Sequence, residues 1–367
     1  MAASVPVARR NILADRRRLA ISVLGVGAAI ALILLLQGLW SGFRVQISAY
    51  EDNVGADLFV GEPGTRNFFG VPSVLPLEAL SAIRAVPEVD RADPVAVRFV
   101  VLDLHGRKQS AILVGSARKG MGGPWDVVAG RDVSSDYEAV MDRSLADQHG
   151  IGLGEYIEAM GERFRVVGFS AGTRSWMAGF VFTSHGTVER LLSMPGTTSF
   201  VLVKTGEPGV VAEAIEDRTG LTALAPSELG DNDRELIAGI MGGPLYFMLL
   251  IAFVAGTLIV ALTVYSAIVE RIREYGIAKA MGARRGRLLR IVLSQTLIVA
   301  TLGTAAGYLV FLGASQLLVT LRPQMWVRLS AAGAVAAAIA TALMALLAAA
   351  VPTRRVAHLD PASVYRG

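Results

Sequence analysis

From Ile291 to Leu321 the chain runs through thirty-one residues without one charged side chain. Three further stretches share this character: Leu19–Trp40, Pro244–Val269 and Leu329–Val351. About 20 apolar residues suffice for a helix to cross a bilayer, and in hydrocarbon every backbone polar group must find its partner inside the segment. Four such runs confine the chain to one class, a helical membrane protein. Composition agrees, with 53% hydrophobic and 18% charged residues, against about 25% charged in soluble domains.

The charges are segregated. Fifteen of the 35 basic residues lie in three short pieces, Arg9–Arg18, Arg271–Arg290 and Arg354–Arg366. The long segment Arg44–Gly243 carries 18 basic residues against 27 acidic ones. Short basic loops stay on the cytoplasmic side of a membrane. Four spans put both termini on one face, and every short basic segment then falls on that face too. The sequence therefore predicts cytoplasmic termini and an extracytoplasmic segment between the first two spans. The basic charge is topological, so nucleic acid is not an expected partner. The chain has no cysteine, which excludes disulfides, thiolate chemistry and lipoprotein attachment.

In order, the expected organisation starts with a cytoplasmic amphipathic helix at 1–18 that rests on lipid, with Val5–Arg18 at helical spacing. Transmembrane helix 1 and a stalk follow at 19–43. Residues 44–243 form an extracytoplasmic α+β domain, with a β-rich subdomain inserted at about 125–192. Then come transmembrane helix 2 (244–269), a cytoplasmic loop (270–290), transmembrane helix 3 (291–321), a short outer link (322–328), transmembrane helix 4 (329–351) and a cytoplasmic tail (352–367). Within the domain, Pro76–Val86 predicts a helix with Pro in its first turn. Val95–Leu104 and Gln109–Gly115 predict a hairpin around His105-Gly106. Asp142 and Gly150 predict the cap and the stop of a short helix. Ser227–Gly243 reads as a separate helix leading to the second span. The third span would be about 46 Å long as one helix, against about 30 Å of hydrocarbon, so it must tilt, break or project.

No catalytic or cofactor constellation stands out. The phosphate-binding pattern GxxxxGK[ST] is absent, and Gly120–Gly123 and Gly150–Gly154 read as turns. The four histidines are widely separated, Ser144 and Ser184 are better explained as helix caps, and Asp231 and Asp233 read as solvated residues at a helix start. No span carries Asp, Glu, Lys, Arg or His, which argues against a proton-coupled carrier or an ion channel. Gly303 and Gly307 form a GxxxG pair, suited either to packing on Ala331–Ala350 or to dimerisation.

One cytoplasmic segment has a specific pattern. Arg271, Arg273, Glu274, Tyr275, Gly276, Ile277, Ala278, Lys279, Ala280, Met281, Gly282 and Ala283 follow R-x-x-E-x-G-I-x-K-A-x-G-A. Near the end of the chain, Pro352, Arg354, Arg355, Ala357, Pro361, Ala362 and Arg366 follow a second pattern, and Gly130-Arg131-Asp132 with Val140–Arg143 through Gly168 marks the outer domain. In these the chain resembles the permeases of the FtsX/MacB family, the mechanotransmission class of ABC transporters, and within it the four-span DevC-like members. The resemblance implies a MacB-like periplasmic core domain, a bacterial cell (inner) membrane location and a dimer with itself or a similar permease. It implies two copies of an ATPase on a separate chain, which would bind the ATP. It makes Glu274–Ala283 the coupling helix, with Ile277, Ala280 and Met281 as its apolar face, Gly276 and Gly282 allowing close approach, and Glu274 and Lys279 at the rim. An adaptor, a binding protein or a cell-wall hydrolase would be the outer partner. The resemblance leaves open export or extraction of a substrate, regulation of a hydrolase without transport, and transport of a small molecule such as an amino acid.

Overall fold

The computed structural model describes residues 16–70, 73–270, 273, 285–321 and 326–357. The expected amphipathic helix up to residue 15, the coupling segment Glu274–Ala283 and the tail beyond residue 357 lie outside the described residues. The elements in chain order are α1 (Arg16–Ile47), β1 (Leu58–Gly61), β2 (Leu75–Pro76), α2 (Ala79–Arg84), β3 (Arg91–Leu104), β4 (Arg107–Ser116), β5 (Val127–Gly130), β6 (Glu138–Asp142), α3 (Arg143–His149) and β7 (Tyr156–Ala159). They continue with β8 (Glu162–Ser170), β9 (Gly179–Ser184), α4 (His185–Leu191), β10 (Thr197–Thr198), β11 (Phe200–Lys204), α5 (Pro208–Thr219), β12 (Thr222–Leu224), α6 (Pro226–Glu270), α7 (Arg285–Leu321) and α8 (Ala331–Ala357). The chain divides into two compact units, Met1–Gly42 with Gly242–Gly367, and Phe43–Met241.

In the first unit four helices are long and apolar enough to cross a membrane. Their buried residues meet in one cluster that includes Val26, Ile30, Val260, Val264, Phe311 and Met344. Their other faces keep large apolar side chains exposed, such as Phe247 and Leu309, as lipid contact requires. Glycines set the helix spacing. A Cβ on Gly25 would stand 2.7 Å from Ile259, and one on Gly256 would stand 2.9 Å from Ala29. The span expected at Pro244 and the helix expected before it are one helix, α6, of 45 residues with Pro244 inside. Pro244 removes one backbone hydrogen bond, and the helix carries on through it.

The second unit is built on a ten-stranded sheet, with path β12-β1-β11-β3-β4-β9-β6-β8-β5 and β7 placed against both β3 and β8. That double pairing closes a ring. β3, β4, β9, β6, β8 and β7 each pair with two neighbours in turn. The residues facing into the ring form one core, among them Leu102, Leu113, Met141, Ile157, Phe164 and Val181. The strands of the expected insertion, β5 to β9, thus share this sheet with β3 and β4. Beyond the ring, Leu58, Val60, Val201 and Val203 pack beneath α2 and α5 through Ile83, Val211 and Ile215. Alternate residues of the same strands, Phe59, Phe200 and Leu202, enter a third core with Val95 and Phe180, as the period of two demands.

Local signals act as their chemistry predicts. His105 and Gly106 both take positive φ in the β3–β4 turn, the conformation of a two-residue hairpin loop. Asp142 accepts from the N–H groups of Ser144 and Leu145, and Gly150 ends α3 in the left-handed region. Ser184 caps α4. Ser144 instead gives its hydroxyl to Asp142 and accepts from Arg174. The helix expected from Pro76 starts only at Ala79, because Leu75 and Pro76 pair with Thr198 and Thr197.

Candidate functional site at the helix joint

The division between the two units falls inside α1 and inside α6. Residues 43–54 and 226–241 therefore belong to the outer unit, and there the two chain segments are fastened to each other and to the sheet. After Ile47 the backbone turns, with Asp52 N–H donating to Ser48 O at 3.0 Å and Val54 N–H to Tyr50 O at 3.1 Å. Gly230 of α6 faces this turn, and a Cβ there would stand 2.8 Å from Ser48 Cβ. The missing side chain lets the segments touch. Arg234 then spans the contact, donating to Ser48 Oγ and to Asp231, with Asp52 Oδ2 at 3.6 Å. Its Nε donates to the Arg44 carbonyl at 3.4 Å.

One turn of α6 also pins the loop that follows β1. Asp233 is fully buried and accepts from Phe68 N–H at 2.8 Å and Phe69 N–H at 3.1 Å. Asn232 donates to the Arg66 carbonyl at 3.0 Å. The expectation of a solvated Asp233 is thereby overturned, since two backbone donors from the loop satisfy its carboxylate in the interior. Asp231, two residues earlier, is exposed as expected.

Tyr50 carries the α1 side of the joint into the core. Its ring stacks on Phe68 at 4.8 Å and lies 5.5 Å from Phe180. Its hydroxyl donates to Gly122 O at 3.0 Å, and Gly122 holds φ +88°. A Cβ on Gly122 would come within 2.9 Å of that hydroxyl, so the residue must be glycine on both counts. Phe43 and Trp176 lie 6.1 Å apart and bring the loop between β8 and β9 onto the base of α1. Next to Tyr50, Glu51 is 2% exposed and neither carboxyl oxygen has a hydrogen-bond partner by geometry. Burial first, and the neighbouring charge of Asp233 second, hold its carboxyl well above the usual carboxylate range.

The Gly130-Arg131-Asp132 segment is a clasp. Arg131 binds Glu138 with both terminal nitrogens, and Glu138 also accepts from Ser134 N–H at 2.9 Å and Ser135 N–H at 3.0 Å. The hydrogen bonds from Arg131, followed by those N–H groups, lower the Glu138 carboxyl to about 2. A Cβ on Gly168 would fall 2.2 Å from Arg131 O, so both glycines are fixed by backbone contact. Gly303 and Gly307 of α7 lie against α1: a Cβ on Gly303 would stand 2.5 Å from Val26, and one on Gly307 would stand 2.7 Å from Gly27 O. Thr304, beside them, faces Thr341 of α8 at 3.4 Å. Among the described residues no group of three His, Asp or Glu side chains gathers to hold a metal ion.

Two family models match the chain. The MacB-like periplasmic core domain covers residues 19–220, and the FtsX-like permease C-terminal region covers residues 246–361. An uncharacterized ABC transporter permease of Mycobacterium tuberculosis is 25% identical over 96% of both chains. The macrolide export ATP-binding/permease protein MacB of Hyphomonas neptunium is 24% identical over 98% of this chain and 60% of its own. Among solved structures, the periplasmic region of MacB from Actinobacillus actinomycetemcomitans overlays 49% of this chain and 94% of its own, with a TM-score of 0.38 and 13% identity.

Proposed function

The chain belongs to the FtsX/MacB family of ABC transporter permeases, and from that premise we propose that it transmits ATP-driven motion from a separate ATPase to its periplasmic domain, for export or extraction of a substrate. Two ATPase subunits dock on the segment Glu274–Ala283 of a permease dimer. Their closure draws the docked segments together, α1 and α6 carry the motion, and the periplasmic domain acts on its substrate or partner. Both termini lie in the cytoplasm, as the basic loops require.

The observation that carries this reading is the joint. α1 and α6 enter the domain side by side and are tied to one another through Arg234 and to the sheet through Asp233 and Tyr50. A pull on either helix is borne by hydrogen bonds and a packed aromatic core rather than by a slack linker. Two relatives favour export, since their names describe macrolide and pyoverdine export. The relative from Mycobacterium tuberculosis, matched over nearly its full length, is named as a permease alone, which favours an ATPase on a second chain. Purification of the tagged permease from native membranes tests the assembly. The expected result is an ATPase recovered with the permease in equal amounts, two copies of each. A permease that comes away without an ATPase overturns the reading.

A further inference from the structure

Two acids meet in the interior of the joint where a single cation would ordinarily be expected between them. Glu51 leaves the end of α1 and Asp233 stands on α6, and both are shut off from solvent. The groups around them are accounted for. Asp52, on the same turn as Glu51, receives the Ser48 hydroxyl. Arg234 directs its guanidinium to Ser48, Asp231 and Asp52. From the loop after β1, Phe68 and Phe69 give their N–H groups to Asp233, Arg66 is exposed, and Asn67 adds a side-chain amide that favours the Asp233 carboxylate. Tyr50 gives its hydroxyl to Gly122. Burial raises the Asp233 carboxyl above its ordinary range, and the two backbone donors oppose that rise. Among the described residues no other residue donates to Glu51, whose carboxylate is favoured only by its own backbone N–H, and two neighbouring carboxylates cannot both ionise in a dry interior. A proton on Glu51 resolves this, because the neutral carboxyl then has a hydrogen to donate to Asp233.

We propose that Glu51 and Asp233 share one proton, and that losing it opens the joint between α1, α6 and the loop after β1, so that alkaline pH loosens the mechanical link to the periplasmic domain. The shared proton rests on the burial of both acids and on the unpartnered Glu51 oxygens, while its effect on coupling rests on the function proposed above. The sign follows from linkage. A carboxyl that holds its proton more tightly in the folded state than in the unfolded one contributes stability that is complete below the ordinary carboxylate range and is lost as pH rises through its raised value. Glu51→Gln keeps a donor toward Asp233 and cannot ionise.

The test uses the full-length permease in lipid nanodiscs. Infrared spectra of the wild-type chain labelled with 13C-glutamate should show a protonated side-chain carboxyl at neutral pH that vanishes on alkaline titration. From pH 5 to pH 9 the thermal midpoint of the wild type should fall by about 4 °C relative to Glu51→Gln. Over the same range the Phe68 and Phe69 amides should lose protection from hydrogen exchange in the wild type alone. A spectrum without a protonated glutamate at neutral pH overturns the shared proton, whether or not the variant folds, and so does a midpoint difference that ignores pH. A protonated Glu51 with coupled ATP hydrolysis equally efficient at pH 6 and pH 9 would leave the proton in place and overturn its role in coupling.

Discussion

Asp233→Ala is expected to cost the periplasmic domain about 3–5 kcal/mol, the range for breaking a buried, hydrogen-bonded charge. Three losses combine. The N–H groups of Phe68 and Phe69 are left without an acceptor inside the fold, at about 1–3 kcal/mol each. The Glu51 carboxyl loses its neighbour. The loop after β1 then loses its fixed position, and with it Phe68, which stacks on both Tyr50 and Phe200. Relief from burying a charge offsets part of this. Asp233→Asn keeps one carbonyl acceptor and should cost about half as much. Denaturant unfolding of the full-length protein, followed by the fluorescence of Trp125 beside Tyr50, reads both values. Losing less than 1 kcal/mol in the alanine variant would mean that the joint is not held through Asp233.

The second large effect is expected at the proposed ATPase-docking segment. Gly282→Trp should reduce permease-dependent ATP hydrolysis about tenfold or more, with no change in the melting of the periplasmic domain. A helix that docks in a groove gains most from a few buried apolar contacts, and a bulky side chain at the point of closest approach forces them apart. Ile277, Ala280 and Met281 are the residues assigned to that contact. The paired reversal Glu274→Lys with Lys279→Glu should act in the same direction and more weakly, because rim ion pairs contribute about 0–1 kcal/mol each. ATPase assays on the co-expressed complex, beside thermal melting of each variant, separate uncoupling from unfolding. Wild-type assembly and turnover in both variants would contradict the docking assignment.

How much of this was legible in the sequence depends on the range of each signal. The four long apolar helices, the α3 cap at Asp142, its stop at Gly150 and the His105-Gly106 turn are local, and the structure has all of them. β9 was not foreseen. Its six residues, GFVFTS, are buried on both faces between a parallel and an antiparallel neighbour, so no alternation betrays a strand. The ring closure rests on two residue pairs, Leu102 with Ala159 and Asp103 with Glu158, which no local pattern encodes. Asp233 misled for the same reason. A charged residue near a helix start reads as solvated until the loop carrying Phe68, 165 positions earlier in the chain, is seen to cover it. The Gly130-Arg131-Asp132 and Gly168 pattern was visible as a motif, but only the packing explains it, as a backbone contact locked by Arg131 and Glu138.

The central claim is that the chain is driven from the cytoplasmic side at Glu274–Ala283. The chain has no cysteine, so Lys279→Cys provides a single thiol at that segment. With a membrane-impermeant maleimide, the account predicts no labelling in spheroplasts, full labelling in inside-out vesicles, and protection in those vesicles when the ATPase is bound. Labelling of Lys279→Cys from the external medium would contradict it.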